Sequence, residues 1–350
     1  MKTKLNNPLT FILVGAAITV TFLGFKFKNE NGIYRTMNVQ KANISDVLKF
    51  LGDDEMVHSM ENFDTEKARK GEELILNGRT KIDGKYSKRI SKYFVCTDCH
   101  NLGREFEVLT DESAEARLSY ADENGISFMP ASTFWGIYNR TSFYNNDYEK
   151  KYDLLVVDSR DTLENAVQLC AKYCSSGRYL EGWELESIMH YYKKNELKIE
   201  DLSLSENDMK NVQKYAKLKE GEKTDLIETI KSSYVQAYGA TFLPTMPTDK
   251  RKYGEGGNPE TGKKIYNKSC LHCHSSGRVT NLKLDHSSLT GGMFWRNIKK
   301  YSDKSLYQIV RHGTYSMTGR KQYMPLYTEE KMSDEQLNDL VAYIKQLAKK

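Results

Sequence analysis

Cys96-Thr97-Asp98-Cys99-His100 and Cys270-Leu271-His272-Cys273-His274 decide how the rest of this chain is read. In each stretch, two thiols separated by two residues can bond the two vinyl groups of one haem. The histidine that follows then reaches the iron from the proximal side. A zinc knuckle, a redox Cys-x-x-Cys pair and a disulfide framework compete for such spacings. One such motif can arise by chance, whereas two in a chain with an export signal point to covalent haem. The expectation is two haem c groups, with Cys96, Cys99, Cys270 and Cys273 as attachment points and His100 and His274 as proximal ligands.

Working outward, the N-terminus carries the export signal. Lys2 and Lys4 precede an uncharged apolar run from Pro8 to Phe25, and Lys26 and Lys28 close it. About 18 residues is at the short end of what a membrane-spanning helix needs. The run ends in Thr21-Phe22-Leu23-Gly24-Phe25, a poor cleavage site. Residues 1–28 are therefore expected to be a signal or membrane anchor, with an uncleaved helix preferred to a cleaved leader. The remaining chain is expected on the periplasmic side of the cytoplasmic membrane, or soluble in the periplasm if the leader is removed. The 350 residues suffice for two domains. A net charge of +5, from 52 Lys and Arg against 47 Asp and Glu, gives no support to nucleic-acid binding.

The expected architecture is all-α: two cytochrome c-type haem domains in tandem behind the N-terminal membrane helix. Residues 29–65 read as a polar spacer with one apolar stretch, Val47 to Leu51. A first haem domain runs over 66–194, opening with an amphipathic helix around Ala68 to Leu76. Its last helical stretch, Leu163 to Tyr192, should be divided by Gly177 and Gly182. Residues 195–255 read as a charged connector with two or three short helices, and 256–350 as the second domain. There Asn258 can cap a helix with Pro259 in its first turn. Ser333 and Gln336 form a capping box before the stripe Leu337, Leu340, Val341, Ile344 and Leu347. This domain resembles the monohaem cytochrome c fold, in which the first and last helices cross closely; Gly262 would then admit Tyr343 or Leu340. Met324, in Gln322-Tyr323-Met324-Pro325, resembles the cytochrome c ligand loop and is the candidate sixth ligand, with Met293, Met317 and His312 as rivals.

Cys170 and Cys174 have no following histidine and share a helix face at their spacing. A disulfide between them is awkward inside a regular helix, which leaves buried structural cysteines or a thiolate aimed at something. The stretch from Thr162 through Cys170 to Ser176-Gly177-Arg178, with Phe134-Trp135-Gly136 before it, resembles the catalytic domain of dihaem thiosulfate dehydrogenases. It is also similar to the haem domain of the Sox complex A subunit. The resemblance implies Cys170 as a thiolate ligand to the first haem and a carrier of the sulfur substrate. A dianionic sulfur oxyanion needs cations, for which Arg178 is the first candidate and Arg160, Arg140 and Arg89 follow. Cys174 stands where those families tend to have serine, and Ser176 where they have asparagine; the connector is also long. If Cys170 is not the ligand, Met189, His190 or Met129 would serve, and the protein would only relay electrons to a redox partner, another cytochrome or a terminal oxidase. Dihaem peroxidases share the motif count but not the cysteine pair or the Met-Pro loop.

Overall fold

The computed structural model describes residues 39–214, 218–315 and 323–350, together with the backbone of two strands, β1 (Phe25–Lys28) and β2 (Tyr34–Met37). The expected membrane helix over 1–28 lies outside the described residues except for β1. Among those described, no helix is long and apolar enough to cross a membrane. They are mainly helical, with strands confined to the β1–β2 pair and a second short antiparallel hairpin, β3 (Lys81–Ile82) and β4 (Lys85–Tyr86).

One packing solution occurs twice. In the C-terminal part, α10 (Pro259–Ile265) starts at Asn258, whose side chain accepts from the amides of Glu260 and Thr261. It crosses α14 (Asp334–Leu347), which starts at the Ser333/Gln336 capping box. A Cβ placed on Gly262 would lie 2.0 Å from the carbonyl oxygen of Asp339. The glycine therefore admits the backbone at Asp339 and Leu340, a closer approach than the side-chain contact expected. In the first part, α2 (Thr65–Asn77) is capped by Asp64 and crosses α7 (Gly182–Lys194). There a Cβ on Gly71 would lie 2.0 Å from the carbonyl oxygen of Ser187. Gly71 is the counterpart of Gly262 that the sequence reading passed over, because the β3–β4 hairpin lengthens the path from α2 to the Cys96 motif.

Three apolar clusters fill the interior. Leu74, Ile75, Phe134, Ile188 and Tyr192 centre the first; Ile265, Tyr266, Leu337, Leu340 and Ile344 centre the C-terminal one. The third joins α1 (Ile44–Leu51) to the connector helix α9 (Glu220–Ser232) through Ile44, Leu48, Leu51, Leu226 and Ile230. The amide of Ile44 donates to Leu197 (2.9 Å) and that of Ile199 to Ala42 (3.0 Å). From residue 39 onward the expected spacer is thus folded against the connector, because Ile44, Leu48 and Leu51 form one apolar helix face. The connector contains α8 (Glu206–Lys214) and α9, within the expected two or three short helices.

The two haem-motif regions are also joined. Helix α3 (Ala114–Glu123) sends Leu118 and Ala121 into the C-terminal cluster. Gln336 donates to the Ala114 carbonyl at 2.8 Å. Arg117, 1% exposed, pairs with the equally buried Glu105 and donates to the Lys331 carbonyl. An unpaired charge at such depth would be very costly, so this pair ties the regions firmly to one geometry.

Candidate functional site: two histidine-bearing motifs and a cysteine turn

After α10 the chain widens into a π turn, Tyr266–Cys270, and then α11 (Leu271–His274). His274 Nδ1 lies 2.8 Å from the Leu282 carbonyl. A carbonyl only accepts, so Nδ1 carries the proton and Nε2 keeps the lone pair that a metal needs. Burial pushes the Cys270 thiol up to about 12 and Cys273 to about 11, and neither is in a disulfide. Met324 is held by reciprocal bonds with Thr314: its amide donates to Thr314 Oγ1 (2.7 Å) and its carbonyl accepts from Thr314 N (3.0 Å). It packs against the C-terminal core together with Cys270, Leu271 and Met293. Of its rivals, His312 is exposed, Met293 shares the same core, and Met317 lies outside the described residues.

The first motif repeats this logic. Asp98 accepts from the Val95 amide (2.8 Å) and fixes the turn that starts at Cys96. His100 Nδ1 lies 2.6 Å from the Ser132 carbonyl, and its ring stacks on Phe134 with centroids 4.2 Å apart. Nε2 is again the free nitrogen, and burial lowers the imidazole to about 4, so it is neutral and able to ligate. Cys96 and Cys99 are free thiols raised by burial. Both donor sets fit a covalent haem with a proximal histidine. Among the described residues no cluster of three or more His, Cys, Asp or Glu side chains is arranged for a bare metal ion.

Helix α6 (Leu163–Leu169) runs into a second π turn, Cys170–Cys174. It is closed by Ser175 N donating to the Cys170 carbonyl at 2.8 Å. Ser176 takes the left-handed conformation (φ 51°), which is uncommon for a residue other than glycine. A Cβ on Gly177 would come within 2.4 Å of the Ile90 carbonyl. The turn therefore docks on the loop that leads into Cys96, with Ser91 Oγ donating to the Ser175 carbonyl at 2.5 Å. This brings Cys170 and Cys174 into the electrostatic neighbourhood of Cys99. The two thiols stand at the start and end of the same π turn. The Tyr144 hydroxyl lies 3.8 Å from Cys174 Sγ, and the Cys170 thiol is pushed up by its thiol neighbour and by burial.

The arginine candidates are all engaged. Arg178 forms a bidentate pair with the fully buried Glu184 (2.7 Å on each arm) and donates to the carbonyls of Lys88, Arg89 and Tyr179. It braces the turn, with all of its donors directed at acceptors inside the protein. Arg140 is buried against the Thr133 carbonyl and the Tyr238 ring. Arg160 pairs with Glu149 and Asp161, and Arg89 donates to the Asn77 carbonyl. Of the alternative ligands, His190 accepts from the Asp64 amide at 3.2 Å, while Met129 and Met189 are buried in the core.

The two motifs face one another. Asp98, 1% exposed, forms a bidentate ion pair with Arg278, four residues after His274. Cys273 Sγ lies 3.8 Å from the Asp98 carbonyl, and Ser269 Oγ donates to the Phe128 carbonyl at 2.7 Å. Tyr323, next to Met324, donates to the Cys174 carbonyl at 2.7 Å and packs edge-on against Phe94. The sequence reading missed Asp98, Arg278, Tyr323 and Tyr144, whose partners are all remote along the chain; only the placement of Asp98 within a motif gave a signal.

No curated protein and no solved structure matches the chain. Residues 257–344 match the family model described as Cytochrome C oxidase, cbb3-type, subunit III, a stretch that spans α10 to α14 and the second motif. The chain therefore carries a cytochrome c domain at its C-terminus, with the covalently bound haem c and haem-based electron transfer that such a domain implies.

Proposed function

We propose that this protein is an exported dihaem c-type cytochrome that oxidises thiosulfate to tetrathionate, or runs the reverse reaction, beside its first motif and passes electrons through its second. The observation that carries the two-haem reading is the repeated histidine geometry: His100 and His274 each commit Nδ1 to a backbone carbonyl and leave Nε2 free. Cys96, Cys99, Cys270 and Cys273 would make the thioethers, and Met324 would serve as sixth ligand in the C-terminal domain. When bound, each haem supplies a one-electron couple. Joining two thiosulfates releases two electrons, which matches two such couples. The Asp98–Arg278 pair holds the two motifs edge to edge and so shortens the path between them. Cys170, on a turn docked beside Cys96, is the candidate thiolate ligand and sulfur carrier, as its resemblance to thiosulfate dehydrogenases implies.

A second reading, a membrane-tethered dihaem electron shuttle without chemistry of its own, is favoured by one observation. Arg178 and Arg140 spend their donors inside the protein and Arg160 pairs with two carboxylates, so three of the four arginine candidates are not free to hold a dianion. Low-temperature electron paramagnetic resonance of the oxidised protein, beside Cys170→Ala, tests the ligand assignment. A low-spin thiolate signal that vanishes in the variant supports the sulfur site, and unchanged spectra leave the shuttle. Thiosulfate that reduces the haems with no partner present supports the enzyme reading.

A further inference from the structure

Cys174 is the feature that the proposed function does not use. It stands at the end of the π turn whose start is Cys170. Four residues of helix rise about 6 Å, already within the roughly 4.4–6.8 Å between Cα atoms that a disulfide spans. An i→i+5 turn is wider than an α turn, so residues i and i+4 lie more nearly above one another. The objection to a disulfide in a regular helix therefore does not apply to this turn. Both thiols are half-buried rather than sealed, and both are free. The turn is braced from outside the pair by Ser91 Oγ on the Ser175 carbonyl, by the Arg178–Glu184 pair and by Tyr323 on the Cys174 carbonyl.

We propose that Cys170 and Cys174 form a reversible dithiol/disulfide couple that exchanges two electrons with the two haems. Oxidation breaks two S–H bonds and forms one Sγ–Sγ bond. The two protons leave to solvent, and the two electrons would be taken up by the two one-electron couples that haems held by His100 and His274 would supply. Reduction runs the same balance backward. The reduced pair offers the Cys170 sulfur for ligation or for substrate, and the oxidised pair withdraws it. The proposal rests on the two-haem reading of the preceding subsection for its electron acceptors.

The test uses the full haem-loaded protein. Samples are oxidised with ferricyanide or reduced with dithiothreitol, quenched in acid, freed of reagent, alkylated with iodoacetamide in denaturant at mildly alkaline pH, digested and weighed. Cysteines bound to haem as thioethers cannot take the alkyl group, so Cys170 and Cys174 report alone. The expected result is a peptide with both alkyl groups after dithiothreitol and with none, lighter by two hydrogens, after ferricyanide. Stepwise anaerobic oxidation should consume two equivalents more for the wild type than for Cys174→Ser. Full alkylation of both residues in the ferricyanide sample, or equal equivalents for the two proteins, overturns the couple. Failure of the two-haem reading is visible separately, because Cys96 and Cys99 would then take up label. A thiolate resonance that persists in Cys174→Ser reports on Cys170 ligation independently of the disulfide.

Discussion

Alanine at Gly262 or Gly71 should destabilise the protein, although each glycine sits inside a helix where alanine is intrinsically better by about 1 kcal/mol. At both positions the new Cβ would fall 2.0 Å from a carbonyl oxygen of the crossing helix, Asp339 for Gly262 and Ser187 for Gly71. Ordinary contact begins at 3.4 Å, so the helices must separate by about 1.4 Å. A gap of only 0.5–1 Å already forfeits roughly a quarter to a half of the dispersion well for the side chains lining it. Overpacking of this kind costs typically 1–3 kcal/mol and more when backbone must move. After the helix-propensity gain, a net loss of up to about 2 kcal/mol is expected for each variant, or about 1–3 kcal/mol relative to a Gly→Ala change that meets no clash. The matched control is Gly292→Ala in α12 (Ser288–Asn297), where the nearest atom is Nη1 of Arg296 at 3.6 Å, an ordinary contact. That variant should be neutral or more stable by up to about 1 kcal/mol. Urea unfolding of the three purified variants reads the difference. If Gly262→Ala and Gly71→Ala unfold at the same urea concentration as Gly292→Ala, the helix backbones are not in contact, and the shared packing of the two haem-motif regions is wrong.

Arg178→Gln should lower stability by about 2–3 kcal/mol, because Glu184 is fully buried and loses its charged partner; a merely solvated arginine would cost nothing in the same unfolding assay. Arg278→Gln should slow electron exchange between the motifs, read by flash reduction. Its stability cost should be smaller, about 1 kcal/mol, since the Arg278 side chain is 54% exposed and water screens that end of the pair. Lys331, buried over the Tyr238 ring, has its amine lowered to about 7 by burial and by the positive Arg117. The unfolded chain binds this proton up to about pH 10.4 and the folded one releases it near 7, so stability should rise with pH between those values. Lys331→Met should flatten that slope and raise stability at pH 7, as measured by unfolding at a series of pH values.

The two Cys-x-x-Cys-His motifs, the helical composition and the C-terminal domain were legible in sequence because each rests on local spacing. Asn258, Pro259, Ser333 and Gln336 announce helix starts that the structure contains. The apolar stripe from Leu337 to Leu347 follows from helical periodicity alone and is buried as expected. Non-local features were not legible. Gly71 became recognisable as a crossing residue only when Ser187, over a hundred residues away, came against it. Arg178 reads as a free cation until Glu184 and three backbone carbonyls are seen to take its donors. The cysteine pair is intermediate: spacing gave its shared face, but the π turn that brings the thiols into register depends on Ser176, Gly177 and the docking of Ile90 and Ser91. Local periodicity thus specified the helices and the haem-binding chemistry, whereas burial and the pairing of distant charges decided which side chains remain free to act.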